Sequence, residues 1–81
     1  MSFGERLSQR REELGWSQAE LARRSGIPQG LISRMERGKV KEPGITVVRR
    51  LARTLQTTAD YLVGMYDKLE AERLDLVGAA P

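Results

Sequence analysis

The sequence holds no histidine and no cysteine. That removes the commonest general base, the thiolate nucleophile and the imidazole and thiolate metal ligands, so enzymatic chemistry and a metal centre are not expected. Without cysteine there is also no disulfide framework, and a reducing cytoplasm is compatible with the chain. Aromatic residues are scarce, with one Trp, two Tyr and one Phe. Stacking of unpaired bases, the usual device for single-stranded RNA, therefore has few platforms. No apolar run approaches the about 20 residues that span a bilayer, so no membrane association is expected. The opening MSFGERLSQRREE lacks the apolar core of a secretory signal. These absences point to a small protein of the cytoplasm that binds something and transforms nothing.

Charge is present, and its placement is uneven. Residues 1–64 carry twelve Lys/Arg against seven Asp/Glu, whereas residues 65–81 carry two against four. The basic portion suits a nucleic-acid face and the acidic portion a separate task. Eighty-one residues make one domain with a core near the lower practical limit. We divide it into 1–64, a domain suited to nucleic acid, and 65–81, a tail for dimerisation or partner binding.

Hydrophobic spacing predicts short helices throughout. The first covers residues 3–14, with Phe3, Leu7 and Leu14 on one face and Gly15 as its stop. Trp16 is expected in the core. Ser17 and Glu20 have the S-x-x-E spacing of a capping box, opening a second helix that runs to about residue 24. Ser25, Gly26 and Ile27 make a corner, for which Gly26 supplies a left-handed backbone. Ala22 is the small residue that lets a neighbouring helix cross closely. Pro28 opens a third helix over about 28–37, with Ile32 and Met35 facing inward and Gly38 at its end. Residues 39–44 are a loop. A fourth helix covers 45–55, with Val47, Val48, Leu51, Ala52 and Leu55 opposed by Arg49, Arg50 and Arg53. Thr58 caps a short fifth helix over 59–63, closed by Gly64. A weak apolar stripe through Tyr66, Leu69 and Leu76 predicts a sixth helix within 65–77.

Two short helices joined by a tight, glycine-containing turn constitute a helix-turn-helix. The stretch LGWSQAELARRSGIPQGLISRMERGK, residues 14–39, resembles the DNA-binding domains of the lambdoid phage repressors and Cro and of their bacterial relatives, the XRE-type regulators. Gln18, Ala22, Gly26, Gln29, Ile32, Glu36 and Gly38 fall together at the family spacing, and the resemblance extends over about residues 3–64. It implies an all-α fold, a lambda-repressor-like bundle of five short helices around a central helix-turn-helix. At Gln56-Thr57 the chain departs from the family, which usually has Gly and an apolar residue there.

In this motif the second helix of the pair enters the major groove, where each base pair presents a distinct donor and acceptor pattern. With Ile32 and Met35 inward, Gln29, Gly30, Ser33 and Arg34 are the candidates for base contact. Gln29 has the donor and acceptor pair that matches adenine. Arg34 can reach guanine or a phosphate, or pair with Glu36 or Glu20. Leu31 has two readings, a thymine methyl or packing on the preceding helix. Candidate phosphate contacts are Gln18, Arg10, Arg37, Lys39 and Lys41; neutralising five phosphates would give a log K against log salt slope of about −4.5 per subunit. The resemblance further implies that Gln18 touches a phosphate and braces Gln29, and that Arg11 and Glu36 form a buried structural ion pair.

The expected function is sequence-specific binding of double-stranded DNA by a repressor or autoregulator, as a homodimer on a near-palindromic operator, with no cofactor. The dimer surface is expected on the fifth helix and tail, at Tyr61, Met65, Tyr66 and Leu69. The alternative is an antitoxin-type adaptor that binds a protein partner through 65–81 and also binds its own operator. RNA binding is disfavoured, because the A-form major groove is too narrow for a helix.

Overall fold

The computed structural model describes residues 2–64. They form five helices: α1 (Phe3–Glu13), α2 (Gln18–Ser25), α3 (Gln29–Glu36), α4 (Ile45–Thr54) and α5 (Ala59–Val63). The expected sixth helix, and Met65, Tyr66 and Leu69 of the expected dimer surface, lie outside the described residues.

Leu7, Leu21, Ile32, Met35, Val48, Leu51, Leu55 and Leu62 are fully buried, so every helix contributes to one core. Burial of each such side chain is worth about 1.5–3 kcal/mol. Phe3, Leu14, Trp16, Ala22 and Leu31 are partly buried and pack against this core. For Leu31 the packed reading therefore holds. α1 packs on α3 and α5, α2 on α3 and α4, and α4 on α5.

Helix ends are set by local chemistry. At α1 the Ser2 hydroxyl accepts from the Glu5 N–H at 3.2 Å, and the Glu5 carboxylate accepts from the Ser2 N–H at 3.1 Å, a complete capping box. At α2 only half of the expected box is made. The Ser17 hydroxyl accepts from the Glu20 N–H at 3.0 Å, but the Glu20 carboxylate turns to Arg23 and Arg24, at 2.6 and 2.7 Å. Charge-assisted bonds to two guanidinium groups outcompete one backbone amide.

α1, α3 and α4 end in the same way. In each, the second residue past the C-cap donates back to a carbonyl in the last turn: Trp16 to Arg11, Lys39 to Arg34 and Thr57 to Ala52, at 2.9–3.1 Å. This Schellman arrangement requires a left-handed residue between them. Gly15 and Gly38 provide it for α1 and α3, whereas at α4 the position is Gln56, with φ 58°. The departure from the family at Gln56 thus leaves the turn intact and loads it with strain. A left-handed non-glycine residue costs about 1–2 kcal/mol, part of which glycine's extra unfolded-state entropy offsets. Gln56→Gly should stabilise the domain by up to about 1 kcal/mol, read as a higher Tm or a higher midpoint in urea with unchanged slope. An unchanged or lower midpoint would contradict this.

Two further features of α1 tie it to its neighbours. Arg6 is 8% exposed, with its guanidinium 5.2 Å from the Tyr61 ring centroid of α5. Gly4 is buried where α1 crosses the end of α3. A Cβ there would run into the Met35 carbonyl oxygen and lie 2.8 Å from the Glu36 carbonyl oxygen. The small residue that permits the tightest crossing is therefore Gly4. Ala22 is only half-buried.

Candidate nucleic-acid interface

The site is built on the corner between α2 and α3. Gly26 ends α2 with φ 74° and donates its N–H to the Ala22 carbonyl at 2.9 Å. The Ser25 hydroxyl, itself buried, accepts from the Ile27 N–H at 3.2 Å and fixes the turn. Ile27 anchors the corner in the core at 4% exposure. Pro28, at φ −57°, sits just before α3, where its missing N–H removes nothing from the helix.

With Ile32 and Met35 buried, α3 presents Gln29, Gly30 and Arg34 to solvent, and Ser33 is half-buried beside them. Arg37, Lys39 and Lys41 are exposed just beyond the helix. The Arg37 Nε lies 3.4 Å from the Ser33 carbonyl of its own helix. The two carboxylates considered as internal partners for Arg34 are both engaged elsewhere. Glu20 pairs with Arg23 and Arg24, and Glu36 pairs with Arg11. Arg34 accordingly forms no ion pair among the described residues and is available to an outside acceptor.

The helix N-termini differ in a useful way. α1, α2 and α5 have side-chain caps from Ser2, Ser17 and Thr58, whereas α3 and α4 follow Pro28 and Gly44 and have none. Their first N–H groups are left for an external anion, and the helix dipole favours one. In the chain, the two uncapped ends bracket α3 and the loop that contains Arg37, Lys39 and Lys41.

Behind this face lies the ion pair. Arg11 is bidentate on Glu36, with Nε to Oε2 at 2.7 Å and a terminal nitrogen to Oε1 at 3.0 Å. Its other terminal nitrogen donates to the Trp16 carbonyl at 2.7 Å. The side chains are 12% and 7% exposed. Burial pushes the Glu36 carboxyl up, but hydrogen bonds from Arg11 and Gln18 and the Arg11 charge outweigh it and hold the group below the ordinary carboxylate range.

Two expected phosphate contacts have other employment. The Gln18 amide donates to Glu36 Oε1 at 3.0 Å, so it braces the ion pair and not Gln29. The carboxylate is the stronger acceptor and sits within reach of the first turn of α2. The Arg10 guanidinium reaches the far end of α4, with Nε to the Leu55 carbonyl at 2.8 Å and a terminal nitrogen 3.4 Å from the Gln56 carbonyl, and it pairs with Glu13. Unsatisfied carbonyls at a helix C-terminus attract a cation. Arg10 is thus a staple between α1 and α4. Its place late in a helix, one residue before Arg11, gave no sign of this, because its partners lie 45 residues away in the chain.

The described residues contain no group of acidic residues, histidines or cysteines placed to hold a metal ion, and no helix long and apolar enough to cross a membrane.

Comparison with known proteins agrees with this geometry. The helix-turn-helix family model matches residues 7–62. The HTH-type transcriptional regulator SinR of Bacillus licheniformis is 30% identical over 68 residues, which make up 84% of this chain and 61% of SinR. The chain therefore spans under two thirds of that relative's length. Among solved structures, SinR, the master regulator for biofilm formation, in complex with DNA superposes with a TM-score of 0.72 at 30% identity, over 74% of this chain and 95% of that one. The P22 c2 repressor protein in complex with a synthetic operator has a TM-score of 0.72 at 35% identity, over 78% and 94%. A complex of SinR with SinI has a TM-score of 0.74 at 29% identity, over 93% and 74%.

Proposed function

Because this chain belongs to the helix-turn-helix family of the XRE/Cro type, we propose that it is a non-enzymatic transcriptional regulator that reads a specific sequence of double-stranded DNA with α3 and represses from that site. The observation that carries the reading is the outward face of α3, where Gln29, Gly30 and Arg34 stand exposed beside an uncapped helix N-terminus.

Each residue has a role that follows from its chemistry. The Gln29 amide donates to adenine N7 and accepts from N6, and the Arg34 guanidinium spans guanine O6 and N7. Ser33 bonds either base type and adds little discrimination. Gly30 lets the helix backbone lie close to the base edges. Arg37, Lys39 and Lys41, with the free N–H groups opening α3 and α4, hold phosphates. Gln18 keeps a second amide N–H for a phosphate while the first braces Glu36. With Arg10 spent on α4, three cations remain, and log K should fall with log salt with a slope of about −2.7 per subunit, not −4.5.

One such module touches few base pairs. A two-fold dimer on a near-palindromic operator, with half-sites about 10 bp or 34 Å apart, would supply the missing specificity. The SinR–SinI complex supports, for a relative, a protein partner as well. Residues 65–81, the acidic part of the chain, are the segment we assign to pairing or partner binding. The resulting autoregulator would act in the cytoplasm, consistent with its kinship to a transcriptional regulator.

Selection of bound duplexes from a random pool tests the whole reading. The expected result is one enriched motif with inverted symmetry. A pool that stays random while the protein binds would overturn sequence-specific recognition, and an enriched motif without symmetry would overturn the dimer.

A further inference from the structure

A cleft of about 420 Å³ lies on a different pair of helices from the readout face, between the C-terminal half of α2 and the outer face of α4. Arg24 and Ser25 form one wall, and Thr46, Arg49, Arg50 and Arg53 most of the other. No carboxylate lines it. α4 contains no acidic residue at all, although it carries three arginines within five positions. Arg49 and Arg53 are four apart and Arg50 and Arg53 three apart, spacings at which like charges on a helix repel.

The ion pairs of α1 and α2 do not extend to the three α4 arginines. Arg10, Arg11, Arg23 and Arg24 each have a carboxylate within 4 Å. Arg49, Arg50 and Arg53 form no ion pair among the described residues and are all exposed. The fourth arginine is held in place. Arg24 stacks over the Trp16 ring at 4.4 Å and donates its Nε to Glu20 at 2.7 Å, which leaves its terminal nitrogens as donors. Thr46 adds a hydroxyl at the exposed edge.

We propose that this cleft binds a compact polyanion bearing adjacent phosphate groups, with Arg24, Arg49, Arg50 and Arg53 as its ligands. Guanidinium groups match phosphate oxygens in pairs, and four of them around one concavity suit two or three linked phosphates. The volume falls in the range of small-molecule sites. The place of the cleft also matters. An Arg50 terminal nitrogen lies 3.9 Å from where a Cβ on Gly26 would be, so the ligand would sit beside the corner that aims α3.

The test uses the full chain and inorganic tripolyphosphate, titrated calorimetrically at constant ionic strength. Wild type should bind at one site. Arg49→Gln/Arg53→Gln should bind at least about tenfold more weakly, as expected for losing two charge-assisted pairs. Lys39→Gln/Lys41→Gln removes the same charge elsewhere and should stay within about twofold of wild type, since exposed, distant charges are screened. Equal losses in the two double variants would overturn the proposal in favour of diffuse basic charge, and wild-type affinity in Arg49→Gln/Arg53→Gln would overturn it outright. Tetraglutamate binding more tightly than tripolyphosphate would also overturn it, assigning the cleft to an acidic protein. Duplex affinity is measured alongside. Its preservation in Arg49→Gln/Arg53→Gln supports a separate site, and a loss matching that of Lys39→Gln/Lys41→Gln would make the cleft part of the DNA contact.

Discussion

Arg11→Ala is expected to destabilise the domain by about 3–5 kcal/mol, a large share of the stability of a domain of this size. The substitution removes both hydrogen bonds to Glu36 and the bond to the Trp16 carbonyl. What remains is a nearly buried carboxylate held chiefly by the Gln18 amide. The penalty is that of an uncompensated charge and not the net worth of the pair, so a double substitution is the control. Arg11→Met with Glu36→Leu should recover most of the loss, because both charges leave the interior together. The pH dependence supplies a second signature. Glu36 in the native protein is held below its unfolded value, near 4.3. Its contribution is therefore fully present above about pH 4.3 and is lost as pH falls through the lower folded value. In Arg11→Ala the pull of the guanidinium is gone and burial raises the carboxyl, so the variant loses less in acid. Urea titrations of both proteins should show the stability gap narrowing as pH falls below about 4. A gap of constant size across that range would contradict the ion-pair account.

Gly4→Ala should destabilise the domain although it adds only one methyl group. In an exposed helix interior this substitution stabilises by about 1 kcal/mol. At Gly4 the added methyl meets the Met35 and Glu36 carbonyl oxygens, backbone atoms that cannot rotate away. α1 must withdraw from the end of α3, at a cost of about 1–3 kcal/mol. Gly30 makes the comparison sharp. It lies within α3, and nothing stands within 4 Å of a Cβ placed there. Gly30→Ala should raise the stability of the free protein by up to about 1 kcal/mol, the opposite sign for the same chemical change. Denaturant midpoints of the two variants settle this, and a neutral or stabilising Gly4→Ala would mean that the α1–α3 crossing is looser than described.

The contrast between these positions explains what could be read from the chain. Helix bounds came within a residue or two because capping serines, Gly15, Gly26, Gly38 and Gly64 act through bonds to near neighbours in sequence. The corner at Gly26 and the inward pair Ile32 and Met35 were legible for the same reason, and they alone decide which side of α3 faces out. The Arg11–Glu36 pair was reachable only through the family resemblance, since the partners lie 25 residues apart. Arg10 on the α4 carbonyls, Gln18 on Glu36 and the burial of Arg6 depend on which helices meet, and no local pattern encodes that. Gly4 did leave a trace. A glycine inside the first turn of a helix, where alanine would be better, signals a close approach. At Gln56 the family glycine was missing, yet the backbone still turns left-handed, because the Thr57 to Ala52 bond and the packing around it impose the turn.

The claim on which everything functional rests is that the exposed face at the start of α3 distinguishes one base pair from another. The most direct measurement compares wild type and Gln29→Ala on the duplex recovered by selection and on a scrambled duplex of equal length, at one salt concentration. Gln29 is exposed and outside the core, so the variant should fold normally. Gln29→Ala should lose about 1–3 kcal/mol on the selected duplex and nothing on the scrambled one, whereas Lys39→Ala should weaken both alike. Equal losses on the two duplexes with Gln29→Ala, or none on either, would mean that this amide does not read DNA.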